Sequence, residues 1–112
     1  MSDALQVVTT TETKADAERI AAALVERRLA ACVQIVGPIT STFRWEGKIQ
    51  TSEEWLCIVK TRRPLYVLVE EAIRELHPYQ VPEILATAVV AGSQTYLDWL
   101  RGELLTPGTD HE

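Results

Sequence analysis

Residues 31–61 read ACVQIVGPITSTFRWEGKIQTSEEWLCIVKT, and the way this stretch must fold decides the architecture of the whole chain. Ala31 to Val36 has the β-branched character of a strand, and Gly37-Pro38 interrupts it. Extended structure then resumes, with Ser41, Phe43 and Trp45 alternating with Thr42, Arg44 and Glu46. Glu46-Gly47 offers a tight turn, after which Ile49 and the run Trp55 to Thr61 form a return strand. Because Trp55-Leu56-Cys57-Ile58-Val59 is apolar on both faces, that strand belongs in the middle of a sheet. A strand from Ala31 to Trp45 would span about 50 Å at ~3.3 Å per residue, against a diameter of roughly 34 Å for a globule of this size. The hairpin must therefore bend or protrude. A protruding hairpin exposes unpaired edges together with Phe43, Trp45 and Trp55, so pairing with another subunit is expected, with these three aromatics at the interface.

Working outward, Leu5 to Thr10 reads as a short strand, and Thr13 followed by Asp16 resembles a capping box. From Lys14 to about Leu29, Ala17, Ile20, Ala21 and Leu24 form one apolar stripe of an amphipathic helix. Pro64 suits the first turn of a second helix, in which Leu65, Leu68, Val69, Ala72, Ile73 and Leu76 hold helical spacing until His77-Pro78 stops it. Ile84 to Ala91 can return to the sheet, and Gly92 ends that strand. Ser93 can cap a last short helix carrying Tyr96, Leu97, Trp99 and Leu100, and 106–112 has the composition of a frayed tail. The order is βαββαβ plus a terminal helix. Layer rules make this an α+β, ferredoxin-like sandwich of two helices on one face of an antiparallel sheet, with a mixed sheet as the natural topology.

The 112 residues, 46% of them hydrophobic, match one domain spanning 1–112, with a core large enough for two layers. Eleven basic against sixteen acidic side chains, a net charge of −5, disfavour contact with a nucleic-acid backbone. The N-terminal residues lack the pattern of a secretory signal, and no apolar run is long enough to cross a bilayer, so a soluble cytoplasmic protein with no membrane partner is expected. Cys32 and Cys57 stand alone and far apart, as reduced thiols do.

Several pieces, in this order, resemble the motifs of the CutA divalent-cation-tolerance family. They are Ala31-Cys32-Val33, Ser41-Thr42-Phe43-Arg44-Trp45-Glu46-Gly47-Lys48-Ile49, Glu54, Lys60-Thr61, His77-Pro78-Tyr79-Gln80-Val81-Pro82-Glu83 and Tyr96-Leu97-Asp98-Trp99. The resemblance spans about Val7 to Trp99. It implies a ferredoxin-like homotrimer whose long hairpins pair between subunits, built like the trimeric nitrogen-regulatory signalling proteins, and a link to tolerance of divalent metals, copper above all. The chain departs from the family pattern at Gln34, where asparagine is usual, and at Phe43, where tyrosine is. Phe43 has no hydroxyl with which to ligate a metal or donate a hydrogen bond.

Among the residues themselves the metal inventory is small, since neither His77 nor His111 has a partner at helical spacing. His77 and Glu83, in a loop stiffened by prolines, are the best local pair for Cu(II) or another divalent cation, and Cys32 could join them as a soft ligand across a subunit boundary. Against this, His77 could simply cap the last carbonyls of its helix. Lys60 at the end of the central strand, near Trp45 across the hairpin, could serve with Tyr79 an anionic metabolite in an intersubunit cleft. Cys32 with His77 is the one thiol–imidazole pair that catalysis could use, and nothing orients it. No nucleotide fingerprint or phosphate loop points to an organic cofactor, so the chain reads as a non-enzyme. Three roles follow: a metal-responsive binding trimer, a sensor of a small anion, or a structural trimeric scaffold.

Overall fold

The computed structural model describes residues 2–106; the expected tail beyond Thr106, with His111, lies outside them. The elements are β1 (Ala4–Thr11), α1 (Lys14–Glu26), β2 (Cys32–Trp45), β3 (Lys48–Arg62), α2 (Tyr66–Leu76), β4 (Leu85–Ala88) and α3 (Gln94–Glu103). The strands lie in the order β2-β3-β1-β4, and every neighbouring pair is antiparallel. The expected mixed sheet is thus corrected. Each helical crossover joins two strands of like direction, but another strand is inserted between them, so no parallel pair forms.

Gly37 and Pro38 do not break β2. The ladder runs from Val36 opposite Leu56 directly to Ile39 opposite Glu54, leaving two residues of β2 against Trp55 alone. This β-bulge absorbs a proline that has no N–H to give to the ladder. Beyond it the hairpin continues to Glu46 and Gly47, whose positive φ values of 51° and 79° suit a two-residue turn matched to the twist of the strands. The hairpin stretches the subunit to 47 Å along its longest axis, against 31 and 23 Å along the others.

Helix α1 starts as expected, with the Thr13 side chain accepting from the Asp16 amide, but it stops at Glu26 rather than near Leu29. Arg28 takes a left-handed conformation at φ 60°, and the Arg28 and Leu29 amides turn back to the carbonyls of Val25 and Leu24. That is the Schellman arrangement with arginine where glycine is usual. The Arg28 guanidinium fastens onto the carbonyls of Gly102 and Glu103, tying the ends of α1 and α3 together. Pro64 sits in a single 3-10 turn that feeds α2. The last strand is only four residues, all exposed, against the longer run expected. It pairs with Leu5–Val8 of β1, leaving its outer edge open.

Strand alternation puts Val33, Val59 and Val7 on the face beneath the helices. There Val59 and Val7 meet Ile20, Leu24, Leu65, Val69 and Ile73 in one core, joined by Leu100 of α3. The Thr9 hydroxyl is buried on this face without a hydrogen-bond partner among the described residues. Stranding a buried hydroxyl costs ~1–3 kcal/mol, and valine fills the same shape without it. Thr9→Val is therefore expected to stabilise the fold by about 1 kcal/mol, read as a rise in the urea midpoint. An unchanged or lower midpoint would mean that the hydroxyl has a partner after all.

Candidate functional site

The loop after α2 is shaped by His77. Its backbone amide caps α2 by bonding the Ile73 carbonyl, while its imidazole turns inward and is only 7% exposed. Nε2 lies 2.7 Å from the Thr10 carbonyl, and Nδ1 lies 3.1 Å from the Tyr79 amide nitrogen. A carbonyl only accepts and an amide N–H only donates, so these two bonds call for a proton on Nε2 and a lone pair on Nδ1. The last carbonyl of α2, that of Leu76, is taken by Arg19 of α1, not by His77, which corrects the helix-capping alternative for this imidazole.

Held this way, the loop lays Tyr79 against the His77 ring at 4.6 Å between centroids, and the phenol donates to Glu54 Oε2 at 2.7 Å. Burial first, then the Glu54 carboxylate and the more distant Glu12 and Asp16, push the Tyr79 hydroxyl far above the usual phenol range. Tyr79 is thus a hydrogen-bond donor at all physiological pH values. Glu54 stands on β3 opposite Ile39, on the sheet face away from the helices, and is 7% exposed.

Three segments enclose a cleft of about 740 Å³ beside this network. Thr10 and Glu12 come from the end of β1, Phe43, Trp45, Gln50 and Glu54 from the hairpin, and Tyr79, Val81 and Glu83 from the loop. Among the described residues no lysine, arginine or histidine lines it, while three carboxylates do, so the lining is acidic. Thr10 is 6% exposed, and its hydroxyl makes no hydrogen bond among the described residues.

Of the residues singled out from sequence, Trp45 and Tyr79 meet in this cleft, with Phe43 and Glu83. Lys60 does not. It lies opposite Cys32 and Gln6, while Trp45 lies opposite Lys48, so the expected proximity of Lys60 to Trp45 is corrected. Six residues of strand separate Lys60 from Glu54, about 20 Å at ~3.3 Å per residue. The Lys60 ammonium binds the Gln6 side-chain oxygen. Cys32 is at that same remote end, so His77, Glu83 and Cys32 are not gathered in one subunit. Among the described residues no group of three or more His, Cys, Asp or Glu is placed to hold a metal ion. Trp55 points to the opposite sheet face from Phe43 and Trp45, with its ring against Gly37 and the Lys14 ammonium 5.7 Å away. Cys57 is fully buried, and desolvation pushes its thiol up to about 11.

Thr10, Glu12 and Glu54 were missed as site residues. Glu54 carried a signal, since it shares a face with Leu56 and Ile58 and so places a carboxylate in line with an apolar stripe of a central strand.

Residues 5–103 match the family model for the CutA1 divalent ion tolerance protein. The chain is 46% identical over 95 residues to the divalent-cation tolerance protein CutA of Thermus thermophilus, an alignment covering 85% of this chain and 92% of that one. It is 44% identical to human protein CutA over 76% of its length but spans only 48% of that longer protein. The solved Thermus thermophilus structure superposes with a TM-score of 0.88 at 44% identity, covering 90% of this chain and 98% of the other. The periplasmic divalent cation tolerance protein CutA from Archaeoglobus fulgidus superposes at 0.87 with 39% identity, covering 89% and 97%.

Proposed function

The chain belongs to the CutA1 divalent ion tolerance family, and from that premise we propose that it is a cation-binding homotrimer that takes up a divalent metal at clefts between its subunits. The observation that carries this reading is an uncovered sheet face. Val36, Leu56, Ile58, Val8 and Leu85 lie in adjoining register rows on the side away from the helices. Val8, Leu56 and Ile58 are half-buried, and Val36 and Leu85 are 47% and 61% exposed. The outer edges of β2 and β4 are also unpaired, and Phe43, Trp45 and Ile49 stand out on the hairpin. Two different open edges on one subunit make a heterologous contact, and such contacts form a ring where the rotation between subunits closes. Trimerisation would then cover the apolar face and place the acidic cleft at a subunit boundary.

Within that cleft, Glu83 is the one expected ligand that faces the opening, with Glu12 and Glu54 alongside it. Oxygen donors suit hard divalent ions. Copper(II) would draw on an imidazole, and His77 can ligate only by releasing the Tyr79 amide or the Thr10 carbonyl. Cys32 would have to come from a neighbouring subunit. The anion-sensor reading has less support, because its cation, Lys60, lies outside the cleft. We read the protein as a binder rather than a catalyst, since Cys32 and His77 stand at opposite ends of the sheet. The cytoplasm is the compartment we propose, in keeping with two unpaired thiols.

Native mass spectrometry during titration with Cu(II) and, separately, Mn(II) tests the proposal. A threefold mass with bound metal that is lost in Glu83→Gln is the expected result. A monomeric mass, or metal uptake indifferent to Glu83→Gln and His77→Ala alike, would refute it.

A further inference from the structure

We propose that the occupant for which this cleft is built is a linear aliphatic diammonium ion, a diamine or polyamine carrying charge at both ends of an apolar spacer. The inference rests on the cation-binding reading above and narrows its ligand. An anion is disfavoured by Coulomb repulsion, since the lining holds Glu12, Glu54 and Glu83 and no basic side chain. Within one subunit these carboxylates are not gathered into a single coordination sphere, so a metal ion would need donors from a neighbouring subunit to complete its shell. Spread anions are satisfied together by a ligand that is itself extended.

Two buried groups open into the cleft without a full set of partners. Glu54 is 93% withdrawn from solvent, and only its Oε2 is engaged, by Tyr79. Thr10, 94% withdrawn, has a hydroxyl that makes no hydrogen bond among the described residues. Both offer an acceptor to an ammonium N–H. Between the charged ends, the faces of Phe43, Trp45 and Tyr79 supply what a methylene chain needs, and a cation over an aromatic ring gains a further attraction. The absence of a hydroxyl on Phe43 is consistent with a dry, apolar wall. The volume of about 740 Å³ lies within the usual range for small organic ligands.

Calorimetric titration of the whole protein with putrescine tests this, with n-butylamine, butyrate and Mn(II) titrated separately. Putrescine is expected to bind once per subunit, at least about tenfold more tightly than n-butylamine, and butyrate is expected to give no heat. Glu83→Gln, at an exposed position, and Glu54→Gln should each weaken putrescine binding by about tenfold or more. The native mass should stay unchanged, and Lys60→Ala should leave the affinity unaltered. Absence of diamine binding, equal affinity for the diamine and the monoamine, or indifference to Glu83→Gln in a folded protein would overturn the proposal. If Mn(II) binds and putrescine does not, the diammonium inference falls while the cation-binding reading stands. If putrescine binds and no metal does, the metal reading falls and this one is supported.

Discussion

Ile58→Lys is expected to reduce the particle to single subunits while leaving each subunit folded. Ile58 lies between Gln34 and Val8 in the register of the sheet, at the centre of the uncovered face. In an isolated subunit the substitution is mild, because the position is half-buried and a lysine stem can lie along apolar surface with its ammonium in water. In a closed trimer three such ammonium groups would be enclosed together with no acidic side chain in the adjoining rows. The effective penalty for burying an unpaired charge is several kcal/mol per ion, roughly the scale of a whole subunit's stability. Sedimentation velocity should show one-third of the wild-type mass, and the far-ultraviolet circular dichroism should be preserved. A trimer that survives the substitution would place the interface elsewhere.

Gly37→Ala is expected to destabilise the fold by about 3 kcal/mol, at the upper end of overpacking effects. A Cβ at this position would lie 2.4 Å from Trp55 Cε3 and 2.7 Å from Cδ2, far inside van der Waals contact. Those atoms belong to the body of the indole, not to the free end of a flexible chain, so relief requires moving the ring or the bulge. Trp55 is held by its place in the ladder opposite Thr11 and by the Lys14 ammonium near its face. Truncating the ring should therefore rescue the alanine. The Gly37→Ala, Trp55→Val pair should cost less than the sum of its members in urea unfolding, and strict additivity would show that the clash is not the cause.

The alternating and helical periods of the sequence made most of the architecture legible. Ile20, Leu24, Val69 and Ile73 fell on the stripes that form the core, and the length of residues 31–45 alone required a hairpin that bends or protrudes. What escaped depended on contacts remote in sequence. Nothing near Arg28 announces a helix end, because its left-handed turn is held by carbonyls of Gly102 and Glu103, more than seventy residues away. The last strand could not be sized from its β-branched run, since its length is set by where β1 offers a partner. Tyr79 and Trp45 were singled out from a rigid loop and an exposed hairpin, and both line the acidic cleft. Lys60 was misplaced because composition does not say which end of a strand a cleft will occupy. His77 drew attention as a free imidazole, and only the fold shows both of its nitrogens engaged.

Strand β3 is buried toward its C-terminal half and exposed toward the turn. From Cys57 onward every second residue is buried, whereas Lys48 to Thr51 are all exposed. Folding and recognition are thereby inscribed on separate halves of a single strand. Substitutions near the turn can change what the cleft accepts without disturbing the core, and those at the inward-facing Cys57, Val59 and Thr61 cannot be made without endangering it. A lineage carrying this fold can drift in its choice of ligand while its scaffold is held constant, and divergence among its relatives should concentrate on the tip of the hairpin.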